Sequence, residues 1–185
     1  MRIFLTILTL ISVFAFTNIN NSTNTNTQVI NWCEGHDLKW KDFKGRVPVT
    51  SSHAAQTAYE VGFDVNMSAG KLNFIVTCNF LPNKSWVRKK DANDYILRHE
   101  QLHFDIAEIY ARKIRKELNE ADITVQNLQA KVDKIYNKNW SALTKMQRDY
   151  DQETKHSINK KEQAEWDAKI TDLLKENLDY SSTCL

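Results

Sequence analysis

Residues His99 to His103 read His-Glu-Gln-Leu-His, and this stretch decides how the chain is organised. Positions i and i+4 of an α-helix lie on one face about a turn apart, so the two histidines share a face. Residues 91–94 supply acidic and N-cap residues, and a helical pattern follows to Leu118. The apolar residues on the same stripe are Ile96, Ile106, Tyr110 and Ile114. We therefore predict a long helix that directs both histidines inward.

The HExxH pattern of this helix is typical of zinc peptidases. Neutral imidazoles suit Zn²⁺, which in catalytic sites takes three protein ligands and lowers the pKa of a bound water to about 7. Glu100 is then the predicted general base, because it can take a proton from that water and return it to the leaving amine. Burying two imidazoles and a carboxylate without a metal or other partners would be costly. The motif thus predicts Zn²⁺ held by His99 and His103.

The third zinc ligand has two candidates in the sequence. Glu108 is excluded because it lies on the opposite side of a regular helix from His99. Glu120 lies in a segment that resembles the Asn-Glu segment of thermolysin-like enzymes, where the glutamate is a ligand. His156 lies in a polar segment, residues 150–157, between two predicted helices. Both remain open on spacing alone.

Sheet and helix patterns flank the motif. Residues 55–65 alternate with a period of two, a turn is expected at residues 67–70, and residues 71–81 alternate again, which predicts a β-hairpin. Residues 123–150 and 160–178 carry apolar residues at helical spacing. The predicted fold is α+β: a small antiparallel β-sheet followed by the long HExxH helix and two further helices.

The N-terminal residues predict export. Arg2 precedes an apolar run, Ile3 to Phe16, that is too short to span a bilayer comfortably, so we interpret residues 1–17 as a signal peptide. An uncleaved anchor is the alternative. Residues 18–28 are almost entirely Asn, Thr and Ser and predict a disordered polar linker before a single domain at residues 29–185. We expect a secreted or periplasmic protein without a stable membrane span after signal cleavage.

The net charge and the cysteines limit the partners and the kinds of metal site that we expect. The formal net charge is +2, and no basic cluster is interleaved with aromatic residues, so no nucleic-acid partner is expected. Cys33, Cys78 and Cys184 predict one disulfide and one free thiol, with the pairing open. They lack CxxC spacing, which argues against a cysteine-based zinc site.

Several segments together carry a family resemblance. They are Leu38–Gly45, Ser52–Ala55 with Thr57, Ser85–Val87, His99–Tyr110 with Arg112, and Tyr150–Ser157 with Gln163 and Trp166. On these segments the chain resembles an uncharacterised bacterial family of predicted secreted zinc-dependent proteases. The resemblance implies a zincin-like peptidase domain with His99 and His103 as ligands and Glu100 as base. With it counted, we predict His156 as the third ligand.

Three further residues have roles that the resemblance leaves open. His53 lies in a family motif and could bind substrate, stabilise an oxyanion, serve the metal or cap a loop. Tyr59 and Tyr150 could each supply a hydroxyl to an oxyanion.

Two other residues also lie in these motifs. Ser157 stands where the family usually has glycine. Asp105 points away from the histidine pair on a helical wheel and is expected to be solvated or salt-bridged.

The function predicted from the sequence is a secreted zinc-dependent metallopeptidase acting on a protein or peptide substrate. One alternative is a non-catalytic secreted or envelope binding domain with a structural or degenerate zinc site. Another is a helical adhesion or assembly protein without metal. The presence of Glu100 favours catalysis, since a structural zinc site has no need of a carboxylate there. The sequence does not fix the oligomeric state.

Overall fold

The computed structural model describes residues 29–182, so the predicted signal peptide and linker lie outside the described residues. Its architecture is α+β with small antiparallel sheets and three helices, as predicted. The strands are β1 (Ile30–Asn31), β2 (Ala55–Gln56), β3 (Tyr59–Ser68), β4 (Lys71–Phe80) and β5 (Trp86–Val87). The helices are α1 (Asp94–Glu120), α2 (Leu128–Thr154) and α3 (Lys160–Glu176), and short 3₁₀ turns lie at Trp40–Asp42 and Leu178–Tyr180.

The predicted hairpin is present. Strands β3 and β4 pair antiparallel from Tyr59 opposite Phe80 to Ser68 opposite Lys71, and β1 adds to the other edge of β4. The two residues of the turn, Ala69 and Gly70, have φ of 50° and 75°. A two-residue turn with positive φ at both positions matches the twist of the strands that it joins.

The expected continuous strand over residues 55–65 is broken in the structure. Thr57 and Ala58 leave the strand conformation, and β2 pairs with β5 in a separate two-stranded sheet. The Ser85 hydroxyl accepts a hydrogen bond from the Ala58 amide (2.9 Å), and the Thr57 hydroxyl donates to the Glu100 carbonyl (3.0 Å). These polar contacts compete with strand pairing and turn the segment before β3 toward the motif helix.

Helix α1 is the centre of the molecule. Asn93 caps it by accepting a hydrogen bond from the Ile96 amide (3.0 Å), as the N-cap pattern predicted. The helix packs against the hairpin on one side and against α2 and α3 on the other. The largest of its fully buried apolar residues are Leu102, Phe104, Ile106, Ile109, Ile114 and Leu118. Helix α1 therefore contacts both the hairpin and the other two helices.

A buried ion cluster joins α1 to the C-terminal segment. Glu108 is fully buried and contacts Arg112 Nε (3.1 Å) and Arg115 Nη1 (2.9 Å), and it also accepts from the Ser182 amide (3.1 Å). The Arg112 guanidinium lies 4.9 Å from the ring centroid of Trp32 and donates to the Leu174 carbonyl. The Glu108 carboxylate is thus fully used in structural contacts, which agrees with its exclusion as a metal ligand.

The structure also limits the possible disulfide pairings and bears on whether a helix could span a membrane. Cys33 is disulfide-bonded, whereas Cys78 is buried with a free thiol, so the two pairings that contain Cys78 are excluded. Cys184 lies outside the described residues. Within residues 29–182, no helix has the length and apolarity needed to cross a membrane.

Candidate metal centre

Three side chains converge beside the inward face of α1. The Nε2 atoms of His99 and His103 are 3.3 Å apart, and the Asp151 Oδ1 atom lies 3.3 Å from the first and 3.2 Å from the second. Within residues 29–182, this is the group of His, Cys, Asp or Glu side chains that could hold a metal ion. Asp151 comes from the last turn of α2, which packs against α1.

Two glutamines fix the direction in which the imidazoles point. Gln147 Nε2 donates to the His103 carbonyl (2.8 Å), which leaves its Oε1 to accept from His103 Nδ1 (2.5 Å). Gln163, near the start of α3, accepts from His99 Nδ1 (2.8 Å). A metal-binding histidine usually donates its second ring N–H to such a partner. Both Nε2 lone pairs therefore face Asp151.

Tyr150 forms the floor beneath the two imidazoles. Its ring stacks on His99 at 4.6 Å between centroids and meets His103 edge-on at 4.9 Å. The fully buried hydroxyl accepts from Gln163 Nε2 (2.7 Å) and donates to the His99 carbonyl (3.2 Å). Burial raises the pKa of Tyr150 far above its usual range. Tyr150 therefore supports the histidines and is not placed to hold an oxyanion.

The three converging atoms fit a metal ion in both chemistry and spacing. With Nδ1 protonated, each Nε2 carries a lone pair, so three acceptors face one another and need protons or a cation between them. A tetrahedral zinc site with bonds of about 2.0–2.1 Å separates neighbouring ligand atoms by about 3.3–3.4 Å. The separations of 3.2 to 3.3 Å match this spacing.

Electrostatics within the group link His103 to Asp151. Burial tends to lower the pKa of His103, but the hydrogen bond and charge of Asp151 outweigh it and raise that pKa above 6.5. Burial tends to raise the pKa of Asp151, but hydrogen bonds from His103 and His99 lower it well below 3.8. The carboxylate therefore stays ionised over the physiological range, as a metal ligand must.

Glu100 lies next to this group with one oxygen unpaired. The residue is 4% exposed, and its Oε2 atom is buried without a hydrogen-bond partner. Leaving a buried carboxylate oxygen unsatisfied costs free energy, and such groups concentrate at functional sites. The structure thus places Glu100 beside the histidines, as the motif predicted.

A cavity of about 630 Å³ connects these residues to the surface. One wall is the α1 face with His99, Glu100 and His103. The cavity is also lined by residues 52–57 with Tyr59, and by residues 155–158, which follow α2. Burial raises the pKa of Tyr59 to about 12, although a hydrogen bond with Gln147 partly offsets this. Of the two tyrosines considered above, Tyr59 is the one that lines the cavity.

His156 and His53 also line this cavity. The His156 side chain is 53% exposed, and its Nδ1 atom is 3.2 Å from Asp151 Oδ1. The His53 ring packs against it at 4.6 Å between centroids. His156 therefore contacts the metal group through Asp151 without being one of the three converging residues. Its role as a direct ligand stays a prediction.

Helix geometry excludes Glu120, the other candidate for the third zinc ligand. Glu120 is the last residue of α1, 17 residues after His103. At a rise of about 1.5 Å per residue it lies about 25 Å along the helix axis from His103, so it cannot share a metal with the motif histidines.

The sequence predicts that Asp105 is either solvated or salt-bridged. The structure shows a salt bridge to Arg98 (3.7 Å), and the Asp105 side chain is buried and not solvated.

The loop that carries His156 has an unusual backbone. Lys155, His156 and Ser157 have φ of 50°, 51° and 72°, three successive non-glycine residues in the left-handed region. Each such residue is strained, because its Cβ approaches the following carbonyl oxygen. The positive φ of Ser157 gives a physical reason why glycine suits this position.

Sequence reasoning missed Asp151 and the two glutamines. Asp151 lies inside the polar segment that was singled out for His156, and carboxylates are ordinary zinc ligands. Gln147 and Asp151 are four residues apart, so they share a face of α2. That spacing was the available signal, but it does not tell which neighbouring helix the face meets.

Comparison with protein families finds a match over most of the described chain. The family described as "Bacterial protein of unknown function (DUF922)" matches residues 39–157. The matched region runs from before the hairpin to the His156 loop and contains every residue of the metal group, but it ends before Gln163. Searches of curated proteins and of solved structures gave no match.

Proposed function

We propose that this chain, which belongs to that bacterial family of unknown function, is a zinc-dependent peptidase that hydrolyses peptide bonds in a protein or peptide substrate. One observation carries the proposal: a buried, unpartnered carboxylate oxygen of Glu100 beside a three-donor metal group at a cavity open to solvent. Structural zinc sites are closed by four protein ligands, whereas catalytic sites have three and keep a position for water or substrate. Three donors with a free carboxylate favour the catalytic type.

The residues that would hold zinc are His99, His103 and Asp151. When bound, zinc supplies Lewis acidity, which lowers the pKa of a water molecule and polarises a carbonyl group. Gln147 and Gln163 keep the imidazoles in the tautomer that presents Nε2.

Glu100 and the cavity walls supply the proton transfers and the orientation. The Glu100 carboxylate accepts a proton from the attacking water as the water oxygen bonds to the carbonyl carbon. It then gives that proton to the nitrogen as the C–N bond breaks, which leaves a carboxylic acid and an amine as products and returns Glu100 to its ionised form. Tyr59 lines the cavity, and we propose its hydroxyl as the donor to the oxygen on which negative charge develops.

We also propose that the protein works outside the cytoplasm, in the periplasm or as a secreted enzyme. The disulfide at Cys33 supports this, because disulfides persist mainly in oxidising compartments. The apolar segment at residues 3–16 is consistent with an export signal.

The test is zinc content measured together with cleavage of a broad peptide library. Wild-type protein should hold about one zinc per chain when it is purified without added metal. Glu100→Gln should retain zinc but cleave about 10²- to 10⁴-fold more slowly, because it keeps the shape and loses the base. His103→Ala and Asp151→Ala should lose both zinc and cleavage.

Glu165→Gln is the matched control, since Glu165 is exposed on α3 and should behave as wild type. The proposal is wrong if the wild type binds no zinc. A zinc-loaded protein that cleaves no peptide, or a Glu100→Gln variant as active as wild type, would equally refute a peptidase that uses this base.

A further inference from the structure

We infer that His156 is a positioning residue that holds Asp151 in its metal-binding orientation and is not itself a ligand. This inference rests on the metal centre of the proposed function, but it does not require that the centre cleaves peptides. It assigns a role to the exposed histidine that lies nearest to the converging group.

His156 holds Asp151 through two separate contacts. Its ring Nδ1 lies 3.2 Å from Asp151 Oδ1, and its backbone amide donates to the Asp151 carbonyl at 2.9 Å. The first contact orients the carboxylate, and the second closes the last turn of α2 around the residue that bears it. Asp151 Oδ1 is the same atom that faces both Nε2 atoms. A carboxylate oxygen has two lone pairs, so Oδ1 can bind a metal ion and accept from His156 at the same time.

Asp151 has few other groups to orient it. The motif histidines are fixed by Gln163 and Gln147 through their Nδ1 atoms. In the described part of the chain, the hydrogen bonds and ion pairs of the Asp151 carboxylate go to His99, His103 and His156. Once the first two bind a metal, His156 is the group left to hold the carboxylate. Outer partners of this kind typically change metal affinity 10- to 100-fold when they are removed.

The backbone of the loop points to the same role. Lys155, His156 and Ser157 all lie in the left-handed region, a conformation that persists only where the surroundings enforce it. In this conformation the chain doubles back on the end of α2, so that the His156 amide reaches the Asp151 carbonyl. The turn thereby brings the His156 ring to the carboxylate, and the His53 ring packs against the His156 ring.

Zinc affinity, measured by chelator competition at one fixed pH, tests this inference. His156→Ala should weaken zinc binding about 10- to 100-fold. His156→Asn should stay within about threefold of wild type, because its amide nitrogen replaces Nδ1 as the donor and asparagine tolerates positive φ. His36→Ala is the matched control, since His36 is exposed and does not line the cavity. Circular dichroism of each variant checks that the fold is intact.

Visible absorption of the Co²⁺-substituted protein gives a second readout that does not depend on catalysis. A positioning role predicts that His156→Asn keeps the wild-type ligand-field spectrum. If His156→Asn and His156→Ala both lose affinity as severely as Asp151→Ala and alter the spectrum, His156 is a direct ligand and the inference is wrong. Unchanged affinity in His156→Ala would also overturn it. Because no substrate is used, a failure of the peptidase proposal would leave these outcomes readable.

Discussion

Replacing Ser157 by glycine should stabilise the protein. Ser157 has φ of 72° and follows two other left-handed residues, and its side chain makes no hydrogen bond within residues 29–182. The left-handed conformation costs a non-glycine residue about 1–2 kcal/mol, and glycine adopts it freely. Glycine also adds about 0.5–1 kcal/mol of backbone entropy to the unfolded chain, which opposes the gain.

The net effect of Ser157→Gly is then a gain of about 1 kcal/mol in the free energy of unfolding. For a domain of this size, that corresponds to a rise of about 2–4 °C in Tm. Urea denaturation with a chelator present, followed by circular dichroism, measures this free energy without a contribution from metal binding.

Ser141→Gly is the matched control for the same substitution in a helix. Ser141 is exposed within α2, where glycine should cost about 0.5 kcal/mol. Opposite signs for the two variants would establish that the backbone at Ser157 is strained. If Ser157→Gly is neutral or destabilising while Ser141→Gly behaves as expected, the strain assigned to this loop does not exist.

Three further perturbations have directions set by the structure. In metal-free protein, the raised pKa of His103 stabilises the fold below pH 6.5, and this contribution is lost as pH rises through the raised value. The lowered pKa of Asp151 stabilises the fold above pH 3.8. The Tm of the metal-free protein should therefore be highest between pH 3.8 and pH 6.5, and its dependence on pH should be flatter in Asp151→Asn. Glu108→Ala should cost about 3–5 kcal/mol in urea denaturation, because it leaves the buried Arg112 and the partly buried Arg115 without their carboxylate. Zinc at a hundred times its Kd should add about 2.7 kcal/mol of stability, and a calorimetric scan should show no such gain in His103→Ala.

The elements that were predicted correctly are those set by short-range spacing. The i, i+4 relation places His99 and His103 on one face of α1 whatever surrounds the helix. The alternation of residues 71–81 and the Ala69-Gly70 turn likewise carry the hairpin. Where local signals compete, the prediction fails: the strand expected at residues 55–65 is divided because the Ser85 hydroxyl, 27 residues from Ala58 along the chain, captures its backbone.

The sequence by itself therefore determined the motif helix, its inward histidines, the glutamate beside them and the α+β order of elements. Only the tertiary structure decided that Asp151 joins the two histidines in a group that could hold a metal ion, and that the Tyr150 hydroxyl donates to the His99 carbonyl. It also decided which cysteine stays free. Asp151 is 48 residues from His103 along the chain, and no pattern over a few turns encodes such a distance. The two meet because α1 and α2 pack against each other, and the side chains between the two helices set that alignment.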